Sequence, residues 1–225
     1  MKDHRVIVRS SPDLRKFFIP HNQCSVPSSR VIPGDYSSAA FLLAAAAITS
    51  SKVTVANLER RSLQGDRAIV EILMKMGADL KVRDECVEFE SAESLKGIRI
   101  DARDIPDLAP VCAVLGCYAS GRTVIRNAKR LRIKESNRIE SLVTELNRMS
   151  ATVTVAADDI LVEGPCKLRG SAIDSHNDHR IAMACSVAAL GADGETEINN
   201  ADCVSKSYPM FYEDLRSLGG NVFGG

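Results

Sequence analysis

DYSSAAFLLAAAAI, residues 35–48, is an aspartate followed by a run that is apolar on every side of a helix. A helix of that kind has no polar face to turn to water and must be enclosed by other structure. Two more stretches share the design: DLAPVCAVLGCYAS from Asp107 and DHRIAMACSVAALG from Asp178. The three aspartates lie 72 and 71 residues apart, so an internal repeat is the first inference.

Outward from each helix the same succession follows. A β-branched segment ends in Asn57 (VTVAN), Asn127 (TVIRN) and Asn200 (TEINN), which stand 22, 20 and 22 residues after their aspartates. Amphipathic helices are expected over 65–76, 137–149 and 209–218, each closed by a corner: MGADL at Gly77, MSATV at Ser150 and LGGNV at Gly219. Two strand-like segments then follow in the first two copies, LKVRDECVEFE with GIRI, and TVTVAADDILVEG with KLRGSAI. The units run 35–106, 107–177 and 178–225, the last incomplete. This predicts an α/β domain of pseudo-threefold symmetry, with three enclosed helices packed together and sheets outside. Residues 1–34 resemble the back half of a unit followed by a Ser/Pro-rich linker. The chain therefore reads as cut from something longer, and those strands are expected to fill the third unit's vacant edge or to be poorly ordered.

Composition narrows the function classes. The 225 residues are 45% hydrophobic and 26% charged with zero formal net charge, which reads as soluble and globular. There is no basic excess of the kind a general nucleic-acid binder carries, and without Trp there is little to stack bases on. The longest apolar run, 39–48, is too short to span a bilayer, and no signal segment opens the chain. No nucleic-acid or membrane partner is expected, and the location is expected to be cytoplasmic. The seven cysteines include no CxxC and read as reduced packing residues, not as disulfides or a zinc site.

Charge concentrates at 130–138, RLRIKESNR, immediately before a helical pattern of Ile139, Leu142, Val143 and Leu146. Asn137 and Glu140 have the spacing of a capping pair. Lys134 and Arg138 then stand at a first turn that is already electropositive, positive on positive unless an anion is bound. The alternative is a solvated charged turn. His179 and Arg180 occupy the first turn of the third buried helix, where Asp178 as N-cap could neutralise the arginine. His176 and His179 lack a third ligand at supporting spacing, so no metal site is expected. Lys206 holds the pre-helix position that Lys134 holds one repeat earlier. Under the repeat, Lys134, Arg138, His179, Arg180 and Lys206 gather at one end as a cationic pocket suited to carboxylate or phosphate groups. Asp107 and Glu135 are the carboxylates at the same mouths, available as proton acceptors; Glu135 could donate if burial raised its pKa. For Asp107 the alternative is helix capping. No GxxxxGK[ST], GxGxxG or GxSxG occurs.

Taken together, RIKESNRI, DSHNDHRIAMA, KSYPMF and PGDYSSAAFLLAAAA resemble the C-terminal half of the 5-enolpyruvylshikimate-3-phosphate synthase family, over residues 31 to 222. The resemblance implies one of two lobes, each built from three βαβαββ units as an inside-out α/β barrel. It implies transfer of the enolpyruvyl group of phosphoenolpyruvate to the 5-hydroxyl of shikimate 3-phosphate, with release of phosphate and without metal or organic cofactor. By motif, Asp107 is similar to the carboxylate at the accepting hydroxyl, Lys134 to a proton-transfer lysine, and Glu135 to the acid exchanging a proton with the methylene. Arg138, Arg180 and Lys206 resemble the clamp on phosphoenolpyruvate, with His179 lining that site. Two positions depart from the pattern: Asn137 stands where the family usually has Asp, and Arg130 where some members place an Asn or His at the substrate ring. The family's Lys-Ser motif and phosphate-binding serines have no counterpart and are expected ahead of Met1, so the missing N-terminal lobe is the implied partner and the chain alone is expected to be inactive. A standalone anion-binding module that keeps the fold without turnover is the alternative.

Overall fold

The computed structural model describes residues 6–26, 29 and 31–224. Residues 1–33 and 34–225 form two compact units. In the first, β1 (Arg9–Ser10) and β2 (Phe17–Phe18) make an antiparallel hairpin.

In the second unit, α1 (Tyr36–Thr49) begins where the Asp35 carboxylate accepts from the Ser37 and Ser38 amides, and it ends at Ser50 in the left-handed region. Then come β3 (Val53–Ala56), α2 (Ala68–Met76), β4 (Asp79–Val82), β5 (Cys86–Ser91) and β6 (Arg99–Asp101). The middle stretch holds α3 (Ala109–Tyr118), β7 (Gly121–Arg126), α4 (Arg138–Arg148), β8 (Val153–Ala156), β9 (Asp159–Gly164) and β10 (Ala172–Asp174). It closes with α5 (His179–Ala189), β11 (Glu197–Asn199) and α6 (Phe211–Ser217), and no strand follows α6 among the described residues.

The three apolar helices α1, α3 and α5 pack against one another and are buried along nearly their whole length. Phe211 of α6, fully buried, sets its ring edge-on to Phe41 of α1 with centroids 6.3 Å apart. Burying that ring contributes about 2–3 kcal/mol. The sheets are β3-β5-β4, antiparallel throughout, β6-β7-β9-β8, in which β6 runs parallel to β7 and the other pairings are antiparallel, and the parallel pair β10-β11. No helix among the described residues is long and apolar enough to cross a membrane.

The landmark residues have a conformational reason. Asn57, Asn127 and Asn200 all adopt positive φ (60°, 60° and 53°), and so do the corners Gly77, Ser150 and Gly219 (103°, 68° and 94°). Asn and Gly are the residues that enter this region at least cost, and they mark five of these six bends, with Ser150 the sixth.

Two expectations change. LKVRDECVEFE and TVTVAADDILVEG are each a hairpin, turning at 83–85 and 157–158, because a polar pair interrupts the alternation. The repeat also begins earlier than its aspartate. β6 pairs in parallel with β7 across α3, and β10 with β11 across α5, so the strand before each helix belongs to the sheet of the unit that helix opens. Gly97 and Gly170 permit those crossovers. Their amides bond Ser120 O and Asp193 O at 2.9 and 2.8 Å, and a Cβ would stand 2.5 Å from Arg122 O and 2.0 Å from Glu195 O.

Both atoms in the way are main chain and cannot swing aside. Gly97→Ala and Gly170→Ala are therefore expected to lower stability by about 1–3 kcal/mol each in urea titrations. Gly224→Ala, with nothing within 4 Å, is expected to change it by less than about 0.5 kcal/mol.

Candidate active site

Arg138, the first residue of α4, is 1% exposed and is the largest fully buried side chain. A guanidinium placed there requires several acceptors, since an uncompensated buried charge is severely unfavourable. It has three: Nε donates to Asp178 Oδ2 at 2.7 Å, Nη1 to Asp107 Oδ1 at 2.7 Å and Nη2 to Glu135 Oε2 at 2.6 Å. Lys134 Nζ lies 3.1 Å from Asp107 and Lys206 Nζ 3.3 Å from Glu135. Three cations and three carboxylates from distant stretches thus form one balanced cluster. The expected positive-on-positive first turn is resolved by the protein's own acids, and the expected clamp residue Arg138 is enclosed by them and does not face the cavity.

Local structure explains how each carboxylate arrives. Asp107 lies in a 3-10 turn over Pro106–Leu108 and caps nothing, which leaves its side chain for Lys134 and Arg138. Asp178, fully buried, caps α5 through the Arg180 amide with one oxygen and takes Arg138 and the Ser136 hydroxyl with the other. The Asn137–Glu140 capping pair does not form. Asn137 has ψ 81°, short of the 117° and 110° at Asp35 and Asp178, and its Oδ1 is buried without a partner.

Arg180 takes a different path. It is 5% exposed, and its Nη1 bonds the Ser37 carbonyl of α1 at 3.1 Å while its guanidinium lies 5.8 Å from the Phe41 ring centre. Its Nε and the Nδ1 of neighbouring His179 are buried with no hydrogen-bond partner. A cavity of about 350 Å³ lies at the α1 and α3 mouths, lined by Ser37, Asp66, Asp107, Arg130 and Lys134 among others. Arg130 reaches the Arg103 carbonyl at 3.3 Å from its rim.

Electrostatics fixes the charge states. Burial works against the carboxylates of Asp107, Glu135 and Asp178, but it is outweighed by Arg180, Lys134 and Arg138 at Asp107, by its own backbone N–H, then Arg138 and Lys206 at Glu135, and by Arg138 at Asp178. All three sit below the ordinary carboxylate values. Glu135 is thus an ionised acceptor here, not the protonated donor that burial alone would make. Burial, then Arg180, pushes His179 down, so its imidazole is neutral at pH 7.

Sequence reasoning missed the second role of Asp178 and two supporting groups. Asp66, buried and raised in pKa by that burial, bonds the Ser37 hydroxyl. Glu145, fully buried on α4, bonds Arg148, His176 Nε2 at 2.9 Å and the Asp174 amide at 3.2 Å. It thereby ties down the loop before α5, where His176 and Asn177 both have positive φ. A glutamate beside Leu142 and Leu146 on an apolar face was the available signal. His176 is therefore turned to Glu145 and not toward His179.

Removing the guanidinium strands three acids. Arg138→Met is expected to cost about 3–5 kcal/mol in urea unfolding, and Arg138→Lys to recover little because one ammonium cannot reach three acceptors. Depressed folded-state pKa values contribute stability that is present above the ordinary values, 3.8 and 4.5, and is lost as pH falls below them. Stability of the wild-type chain is expected to drop through that acid range, and the drop to shrink in Arg138→Met.

Comparison with known proteins gives the same placement. The family description EPSP synthase (3-phosphoshikimate 1-carboxyvinyltransferase) matches residues 1–215. The 3-phosphoshikimate 1-carboxyvinyltransferase of Methanocaldococcus jannaschii is 42% identical over 206 residues, covering 92% of this chain and 48% of that protein. That of Clostridium acetobutylicum is 44% identical over 209 residues, again 92% and 48%. A solved EPSP synthase structure from Acinetobacter baumannii superposes with a TM-score of 0.85 at 29% identity, covering 97% of this chain and 53% of that one. The chain spans about half the length of the curated relatives it matches, and it belongs to the EPSP synthase family.

Proposed function

We propose that this chain is the C-terminal lobe of a 3-phosphoshikimate 1-carboxyvinyltransferase, residues 35–225, preceded by the tail of the other lobe and a linker over 1–34. In this reading the three buried helices are related by a pseudo-threefold axis, and their mouths form one wall of a two-sided site. The N-terminal lobe supplies the other wall, the substrates are phosphoenolpyruvate and shikimate 3-phosphate, and a cytoplasmic location goes with them. No cofactor takes part.

Asp107, ionised and 3.1 Å from Lys134, is the acceptor for the proton of the 5-hydroxyl as that oxygen attacks the central carbon of phosphoenolpyruvate. Lys134 carries that proton onward. The proton passes by way of Glu135 to the methylene carbon, which becomes the methyl group of the tetrahedral intermediate, and Glu135, ionised again, takes a proton back from that methyl group as the C–O bond to phosphate breaks and phosphate leaves. Arg180 and the exposed Lys206 hold the carboxylate and phosphate, His179 stands beside Arg180 as a neutral imidazole, and Arg130 stands at the rim. Arg138 positions Asp107 and Glu135 instead of touching the ligand.

The observation that carries this reading is the pair of unsatisfied buried groups, Arg180 Nε and His179 Nδ1. Buried polar groups without partners in native structures call for an explanation, and for the N–H of Arg180 Nε an anionic ligand is one. The alternative, an anion-binding module without turnover, shares this pocket and differs only when the missing lobe is supplied.

Titration of the chain with phosphoenolpyruvate, followed by phosphorus NMR, is expected to show saturable binding that Arg180→Met weakens about 10–100-fold, the worth of one charge-assisted hydrogen bond. Unchanged affinity in the variant would remove the assignment. Phosphate release on mixing with the N-terminal lobe and both substrates distinguishes the transferase from the module.

A further inference from the structure

Away from the cluster, two of the seven cysteines meet. Cys117 is fully buried in the last turn of α3, and Cys166 is half-buried just beyond β9, between the exposed residues Pro165 and Lys167. The Cys166 amide donates to the Cys117 carbonyl at 2.6 Å. Across a bond that short the two Cα atoms can be no farther apart than about 6.5 Å, inside the span that disulfides bridge. The Cys166 thiol itself donates to the Glu163 carbonyl at 3.1 Å, in the same turn that brings its amide to Cys117.

From this geometry we infer that Cys166 and Cys117 form an oxidant-reactive dithiol, with Cys166 as the attacking sulfur and Cys117 as the resolving one. The neighbourhood suits those roles. Donation from Cys117, and then from the amide and hydroxyl of Thr152, draws the Cys166 thiol well below its usual range against the opposing effect of burial. The same contact and full enclosure push Cys117 up, so it waits as a thiol. A thiolate with solvent access is the reactive form, and a buried thiol alongside is protected until its neighbour is oxidised.

The chemistry takes a hydroperoxide as oxidant. The Cys166 thiolate attacks one peroxide oxygen, an S–O bond forms, the O–O bond breaks, and the departing hydroxide takes a proton and leaves as water. Cys166, oxidised by two electrons, is then a sulfenic acid. The Cys117 sulfur attacks it, the S–S bond forms as the S–O bond breaks, and the second water leaves with the Cys117 proton. Two thiols and one hydrogen peroxide give one disulfide and two waters. The expected all-reduced reading of the cysteines then describes one of two states.

The test is limited hydrogen peroxide treatment of the folded chain at pH 7, alkylation of remaining thiols and peptide mapping, with exposed Cys24 as internal comparison. The expected first product is a linked Cys117–Cys166 peptide pair lacking two hydrogens, restored by dithiothreitol, formed several-fold faster than any modification of Cys24. In Cys117→Ala, checked for folding by its thermal transition, dimedone is expected to trap a persistent sulfenic acid at Cys166. A Cys166 no faster than Cys24, or a first disulfide between other partners, overturns the inference. Should Cys117→Ala not fold, the wild-type map and Cys166→Ala, in which Cys117 must stay reduced, decide it. None of these readouts depends on transferase activity.

Discussion

A guanidinium that water cannot reach sets the terms for this fold. Arg138 holds Asp107, Glu135 and Asp178 within 2.7 Å, and those acids come from the α3 mouth, the stretch before α4 and the head of α5. Each polar contact compensates a desolvation penalty of several kcal/mol, so the arrangement is stable only when all three prongs are occupied. Loss of any one acid leaves charge unbalanced at the place where three segments converge. The cluster thus specifies how the helix mouths meet, while the apolar bodies of α1, α3 and α5 supply the bulk of the stabilisation.

That settlement has a functional side. Because Arg138, Lys134 and Lys206 are balanced by carboxylates, the mouth region is close to neutral before any ligand arrives. Arg180 differs from them: its hydrogen bond ends on a main-chain carbonyl and its plane on a ring face, with Nε unsatisfied, while its charge also acts on Asp107. Lys206 and Lys134 are each held by one carboxylate and partly exposed, so they can turn to a ligand without unfolding anything. The rigid centre and the adjustable rim are different residues, which is the division of labour a site for small anions requires.

The repeat was legible because it is written in two local signals. Enclosed helices must be apolar on every side, and Asn57, Asn127 and Asn200 sit where φ is positive and asparagine is tolerated. Sheet membership was not legible at β6 and β10, since alternation along a strand says nothing about which neighbour it joins. The cationic residues were identifiable by type and position. Their partners were not, because Arg138 and Asp178 are 40 residues apart and the pairing depends on how helix mouths face one another. Glu145 and Asp66 were hidden for the same reason: a buried acid looks like a surface acid until its enclosure is known. The Asn137–Glu140 spacing was correct for a cap, and a single backbone angle defeated it.

Arg138 is clamped on all three of its nitrogens. Side-chain nitrogen NMR of the chain with labelled arginine tests this directly, because a guanidinium fixed by three carboxylates cannot rotate about its Cζ–Nη bonds. Separate, slowly exchanging signals are expected for the individual Nη protons of Arg138. A single averaged signal exchanging as fast as that of a surface arginine would contradict it.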